Sequence, residues 1–184
     1  MTDASIRDRY KQHLEDYLSE FVYGGIDGAV TTFAVVAGAT GARFDTKVIL
    51  VLGFANLIAD GFSMSVGAYL STKSSQELLI KNGKPINDEP SPVINGLATY
   101  LAFILVGLVP LLAYTADLIF DFGLTHLFAI TSVLTALAFV GIGLLKSRVA
   151  KTPMVRAVLE TLILGLIAAL FAYVLGDLLE QLIT

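Results

Sequence analysis

The sequence predicts an all-α integral membrane protein with five transmembrane helices preceded by an amphipathic N-terminal helix. Three observations carry that prediction. The chain of 184 residues is 55% hydrophobic and only 15% charged, where soluble domains are nearer 45–50% apolar and about 25% charged. Its mean hydropathy is +0.76. The apolar residues gather into five runs, 22–42, 47–70, 93–116, 123–145 and 154–176, each long enough for the roughly 20 helical residues that cross about 30 Å of hydrocarbon. A backbone in lipid must satisfy its own polar groups, so runs of this kind form helices. Residues 1–184 read as a single transmembrane domain without a soluble module.

Taken in order, residues 1–21 read as a cytoplasmic helix lying in the headgroup layer. Tyr10, Leu14, Tyr17, Leu18 and Phe21 recur at helical spacing, with Arg7, Arg9, Lys11, Glu15, Asp16 and Glu20 largely on other faces. His13, Asp16 and Glu20 fall at i, i+3 and i+7 and could gather cations, but a solvated face is the simpler reading. Spans one and two are joined by the turn Arg43-Phe44-Asp45-Thr46. A polar loop then runs from Ser71 to about Pro92, its Gly and Pro marking turns. It holds the acids Glu77, Asp88 and Glu89, whose part in metal binding the sequence leaves open. The third span has Pro110 near its far end, and the basic stretch 146–156 leads from the fourth into the fifth.

Five spans place the termini on opposite sides, and the basic residues orient them. Arg7, Arg9, Lys11, Lys73, Lys81, Lys84, Lys146, Arg148, Lys151 and Arg156 fall on the side of the N-terminus; only Arg43 and Lys47 fall on the other. The positive-inside rule makes the N-terminus cytoplasmic and the C-terminus outside or lumenal. Small residues recur four apart, as in Gly24/Gly28, Ala34/Gly38 and Ala37/Gly41, and again at Gly165, Ala169, Ala172 and Gly176. That spacing lets helices approach closely in lipid.

Some function classes are excluded. The absence of cysteine removes disulfides, thiolate ligands and thiol redox chemistry. No basic stripe supports nucleic-acid binding. The first apolar run begins only at Val22, after mixed charge, which does not resemble a cleavable signal. His126, near a helix end, receives no role.

The chemistry is expected inside the membrane. Asp27 and Asp60 lie within the first two spans, each followed by glycine, and an intramembrane carboxylate marks a site by default. Asn56, Asp60, Met64 and Gly67 fall at i, i+4, i+8 and i+11, one polar stripe with Ser63 and Ser71 beside it. Tyr23, Asp27 and Thr31 share a face of the first span. Counting from the cytoplasmic ends of two antiparallel helices puts Asp27 level with Met64, and Thr31 level with Asp60 about 6 Å deeper. Asn56 lies one layer further out. Glu160 in the fifth span is equally close to the cytoplasmic side, and no cation is expected at the depth of these acids. They either sit protonated and inert or line a wet cavity that binds cations; three acids without a neutralising charge favour the cavity. Oxygen ligands alone suit Mg²⁺, Ca²⁺ or Mn²⁺. The Met64 thioether, if it is a ligand rather than packing, tilts the site towards first-row transition metals such as Fe²⁺. A carboxylate that releases a proton on binding metal couples the two ions, the minimum for a metal/proton exchanger.

Two stretches resemble a known family. Tyr23-Gly-Gly-Ile-Asp-Gly-Ala-Val-Thr-Thr-Phe-Ala and Ala59-Asp-Gly-Phe-Ser-Met-Ser-Val-Gly-Ala-Tyr-Leu-Ser-Thr-Lys-Ser look like the first- and second-span motifs of the vacuolar iron transporter/nodulin-21-like family. Spans three to five match in pattern only. The resemblance implies a homodimer of five-helix protomers with a metal path at the two-fold axis. It implies export of Fe²⁺, and often Mn²⁺, from the cytosol in exchange for protons, with metal as substrate and no resident cofactor. The family's transport aspartate falls on Asp27 and its transport methionine on Met64. This chain departs in two places. Its loop after the second span lacks the long glutamate-rich insertion of plant members, and Asn56 stands where those members carry glutamate.

The leading reading is thus a secondary transporter, not an enzyme, that removes Fe²⁺ or Mn²⁺ from the cytosol in exchange for protons. Asp27, Met64, Asp60 and Asn56 would line the path, and Glu160 would assist near its entrance. An exporter of small organic cations also needs a buried acid, but would call for an aromatic-rich cavity, and the stripe here is small and polar. A non-transporting membrane protein that binds metal or a partner is the third reading, favoured by the short loop. The compact chain points to a prokaryotic cytoplasmic membrane; a eukaryotic member would sit in the vacuolar membrane.

Overall fold

The computed structural model describes residues 3–86, 89–124 and 126–183; in the first helix, side chains are described from Glu15 on, Asp16 excepted. The described chain is all helical: α1 (Asp3–Gly41), α2 (Thr46–Lys81), α3 (Pro92–Gly107), α4 (Leu112–Phe120), α5 (Leu127–Val149) and α6 (Met154–Ile183). Five segments are long and apolar enough to cross a membrane, α3 and α4 together forming one of them. The expected five-span, all-α integral membrane fold is what the chain adopts.

The helices outrun the apolar runs. At about 1.5 Å per residue, the 39 residues of α1 reach roughly 58 Å and the 36 residues of α2 roughly 54 Å. Both far exceed the hydrocarbon thickness. The chain from Asp3 to Gly41 is one uninterrupted helix, with no break near Val22 where a surface helix was expected to give way to a span. The side chains of Tyr10, His13, Leu14 and Asp16 lie outside the described residues, as does Asp88 in the loop. Residues 71–81, expected as loop, continue α2. Serine, threonine and glutamine there are polar but do not break a helix; the turn waits for Asn82 and for Gly83 at φ +67°.

Pro110 splits the third span. Proline has no N–H to donate and crowds the preceding turn, so α3 gives way to a 3₁₀ turn, Val109–Leu111, before α4 resumes. α4 ends at Asp121 in the left-handed region, φ 51°. Asp117 Oδ1 then accepts the Leu124 N–H at 2.9 Å, which sets the start of α5 four residues later than the apolar run suggests.

α1 is the hub, packing against α2, α3, α5 and α6. Two core clusters divide along it. Val36, Leu57, Phe103, Leu111 and Tyr114 join it to α2, α3 and α4; Ala29, Phe33, Ala37, Phe139 and Ala169 join it to α5 and α6. The small residues earn close contact as their spacing suggests: Gly176 of α6 seats against the Gly38 carbonyl of α1. α2 packs on one side only, leaving Val51, Ile58, Phe62, Val66 and Leu70 exposed.

Candidate metal centre

The two Asp-Gly pairs have one physical origin. A Cβ on Gly28 would strike the carbonyl oxygen of Phe103 in α3, so only glycine lets α1 lie this close. A Cβ on Gly61 would stand 3.1 Å from the Phe103 ring and 3.3 Å from Tyr100. Both glycines therefore press on one wholly buried residue of α3, Phe103, and their helices share its level. The residue before each lies about 100° round its helix, so Asp27 and Asp60 turn off the α3 contact. Both then lie near the level of Phe103 on their own helices.

Asp27 is half-buried and lines a cavity of about 440 Å³ with Tyr23, Val30, Ile167 and Phe171, where it is the one acid. Met64 lines a different cavity of about 480 Å³, with Glu20, Tyr23, Ser71 and Thr99. Tyr23 belongs to both walls, so the cavities adjoin along α1. Asn56 is half-buried and its Nδ2 has no hydrogen-bond partner. The Thr31 hydroxyl is taken, donating to the Asp27 carbonyl at 2.9 Å.

Glu160 is not gathered into this group. Lys146 Nζ donates to its Oε2 at 2.8 Å and Arg156 Nε to its Oε1 at 2.9 Å. The expectation that no cation neutralises the acids therefore fails at Glu160. The reason is antiparallel register: the turn between α5 and α6 folds Lys146 back opposite Glu160, and Arg156 lies one turn before it on α6. That geometry makes Glu160 a brace of the α5–α6 turn.

Glu20, first read as part of a solvated face, is half-buried and lines the Met64 cavity. The signal for it was present: Glu20 lies seven residues before Asp27, two turns along one face of α1. Among the described residues no three acidic or histidine side chains assemble into a metal-binding group. The candidate ligands of the chain come in ones and twos: Asp27 with Asp60, Met64 with Glu20. Two carboxylates near each other in a low dielectric repel, and a proton or a cation relieves that repulsion. Such a pair can trade one for the other.

The VIT family profile matches residues 18–84 and again 77–177. Over 170 residues, 89% of this chain and 83% of the relative, the sequence is 32% identical to vacuolar iron transporter homolog 1 of Arabidopsis thaliana. Over 230 aligned positions, 91% of this chain and 84% of the relative, it is 24% identical to a vacuolar iron transporter of Plasmodium falciparum. A vacuolar iron transporter of Toxoplasma gondii is 37% identical over 73 residues, which cover 40% of this chain and 24% of that protein.

Proposed function

Because the chain belongs to the VIT family, we propose that it is a secondary transporter moving Fe²⁺, and Mn²⁺ with it, out of the cytosol in exchange for protons. The observation that supports this reading is that Gly28 and Gly61, which follow Asp27 and Asp60, both rest on Phe103, so the two aspartates lie near one level of the bundle. Asp27 binds the metal, Asp60 holds the charge it leaves, Met64 adds a soft ligand, and Asn56 continues the path outward. The names of the relatives support iron as the cargo.

The second copy supplies what one protomer lacks. A homodimer built on the exposed face of α2 doubles each ligand at a two-fold axis and covers Ile58, Phe62 and Val66. A single cysteine at Val66, in a chain with none of its own, is expected to cross-link two protomers under mild oxidant, whereas one at Leu166 on α6 is not. Equal cross-linking at both positions argues against this interface. The excess of basic residues on the N-terminal side supports a cytosolic N-terminus. The membrane is a prokaryotic cytoplasmic membrane, or a vacuolar one in a eukaryote.

Inside-out membrane vesicles carrying the protein are expected to accumulate ⁵⁵Fe²⁺ when their lumen is acidified, and not when the gradient is collapsed. Accumulation that ignores the gradient contradicts proton exchange. Glu160→Gln in the same vesicles is expected to leave the apparent KM for Fe²⁺ within about twofold, as for a residue that braces a turn and does not touch the metal. A KM raised tenfold would return Glu160 to the path.

A further inference from the structure

We propose that the α5–α6 side of the bundle seats one phospholipid with an anionic headgroup, its phosphate on the basic turn 146–156 and one acyl chain in the cavity between α1, α5 and α6. Two observations on the same pair of helices meet there. At the turn, Lys146, Arg148, Lys151 and Arg156 stand against two carboxylates, Glu160 and Glu15, which leaves two positive charges unmatched. Further along the helices, Phe33, Phe128, Phe139, Leu162, Leu166 and Tyr173 wall a cavity of about 480 Å³. No residue of α2 lines it, so it lies off the face proposed for the dimer.

The cations are held in place for a headgroup. Glu160 accepts from Lys146 Nζ at 2.8 Å and from Arg156 Nε at 2.9 Å, which pins both beside the first turns of α6. Arg156 spends one of its five N–H donors there. Lys151 stands 3.9 Å from Glu15 with both side chains exposed, a pairing that water screens. Arg148 is exposed and, among the described residues, makes no ion pair. A phosphate suits such a cluster, because the arginine fork matches two of its oxygens. Each Lys or Arg at a membrane surface adds about fivefold to the affinity for anionic lipid.

The cavity suits an alkyl chain and not water. Of its lining side chains only Ser132 and Tyr173 are polar, and the Ser132 hydroxyl donates to the Phe128 carbonyl at 2.7 Å. A buried water needs about two to four polar partners, which this wall does not offer. The Phe128 ring lies 6.1 Å from Phe33 and 5.9 Å from Tyr173 between centroids, so one side is a row of three aromatic rings. Leu166 and Leu170 are exposed at the rim, and the cavity opens sideways between them towards the acyl chains of a bilayer. Val155, Leu159, Leu162 and Leu166 recur at i, i+4, i+7 and i+11, one apolar strip from the basic turn to the cavity. Arg156 to Leu166 is about 15 Å along α6, the depth of one leaflet when the hydrocarbon core is about 30 Å. A chain anchored at the turn therefore ends inside the cavity. The positive-inside rule accounts for the charges by themselves, but it calls for no apolar slot at that distance.

The chain has no tryptophan, so Leu166→Trp supplies a single fluorescent reporter at the cavity rim. The full chain is reconstituted in phosphatidylcholine vesicles that hold a small fraction of a tail-brominated lipid, whose bromines quench only a tryptophan they touch. Brominated phosphatidylglycerol is expected to quench at a fraction about thirtyfold lower than brominated phosphatidylcholine needs, near fivefold for each unmatched charge. Leu170→Trp on the same rim is expected to give the same order. Arg148→Gln with Lys151→Gln removes two exposed cations outside the Glu160 brace, and is expected to bring the two lipids within about threefold. Leu105→Trp, on the exposed face of α3 and away from the cavity, is expected to show no preference. Equal quenching by both lipids at the rim, the same preference at Leu105→Trp, or a preference that survives the loss of Arg148 and Lys151 overturns the proposal. So does a brominated fatty acid that quenches as well as phosphatidylglycerol, which would make the occupant a free fatty acid.

Discussion

Asp27→Asn is expected to lower Fe²⁺ flux in reconstituted vesicles by about 100-fold or more, more than the 10- to 100-fold typical of losing a group that only supports a ligand. Asparagine matches aspartate in size and keeps one carbonyl oxygen, so the packing of α1 on α3 through Gly28 is undisturbed. It cannot carry the negative charge or the exchangeable proton. With both roles assigned to Asp27, metal binding and proton coupling fail together. Size-exclusion profile and thermal unfolding are expected to match the wild type. Asp60→Asn is expected to be milder, about tenfold, because Asp60 has the supporting part in this reading and Asp27 the metal contact. Flux in Asp27→Asn within a few-fold of wild type would remove Asp27 from the centre of the account.

Gly28→Ala is expected to act on the fold instead, costing about 3 kcal/mol, at the upper end of what overpacking a close contact costs. The new methyl would meet the Phe103 carbonyl, a backbone atom of a neighbouring helix that cannot rotate aside. α1 and α3 must then separate, and the level at which Asp27 and Asp60 meet is lost with them. The variant is expected to give little monodisperse protein and a lowered midpoint of thermal unfolding in detergent. Gly141→Ala is the control: a Cβ there meets nothing within 4 Å, and alanine is the better helix former by up to about 1 kcal/mol. If both alanine variants unfold alike, the glycine contact is not what positions the aspartates.

Much of this was legible in the sequence, for a definite reason. Hydropathy over 20 residues reports burial in lipid directly, so the five spans could be read without knowing how they pack. Counting along antiparallel helices set Asp60 about 6 Å deeper than Asp27, whereas in the packed bundle the glycines that follow both aspartates rest on the same Phe103. Helix ends were less legible because polarity was taken for irregularity: Thr72, Ser74 and Gln76 are hydrophilic, yet α2 runs through them to Lys81. The pairing of Glu160 with Lys146 needed the register across a turn, which no single run reveals. Glu20 was legible only as a spacing. That it faces α3, where Thr99 can hold it, depends on which side of α1 the glycines turn inward. The Asp-Gly pairs show the same limit. The sequence displays the repetition, but only packing shows that both glycines answer to Phe103.

The measurement that bears most directly on the central claim is Fe²⁺ uptake into proteoliposomes of the wild-type protein, with lumenal metal and lumenal pH followed in the same sample. The expected result is Fe²⁺ entry matched in time by proton exit, with Fe²⁺ entry faster into an acidic lumen and proton exit no greater than the passive leak when external Fe²⁺ is omitted. Fe²⁺ bound by folded protein with neither ion crossing the bilayer would contradict the account, and would leave a membrane protein that holds metal without carrying it.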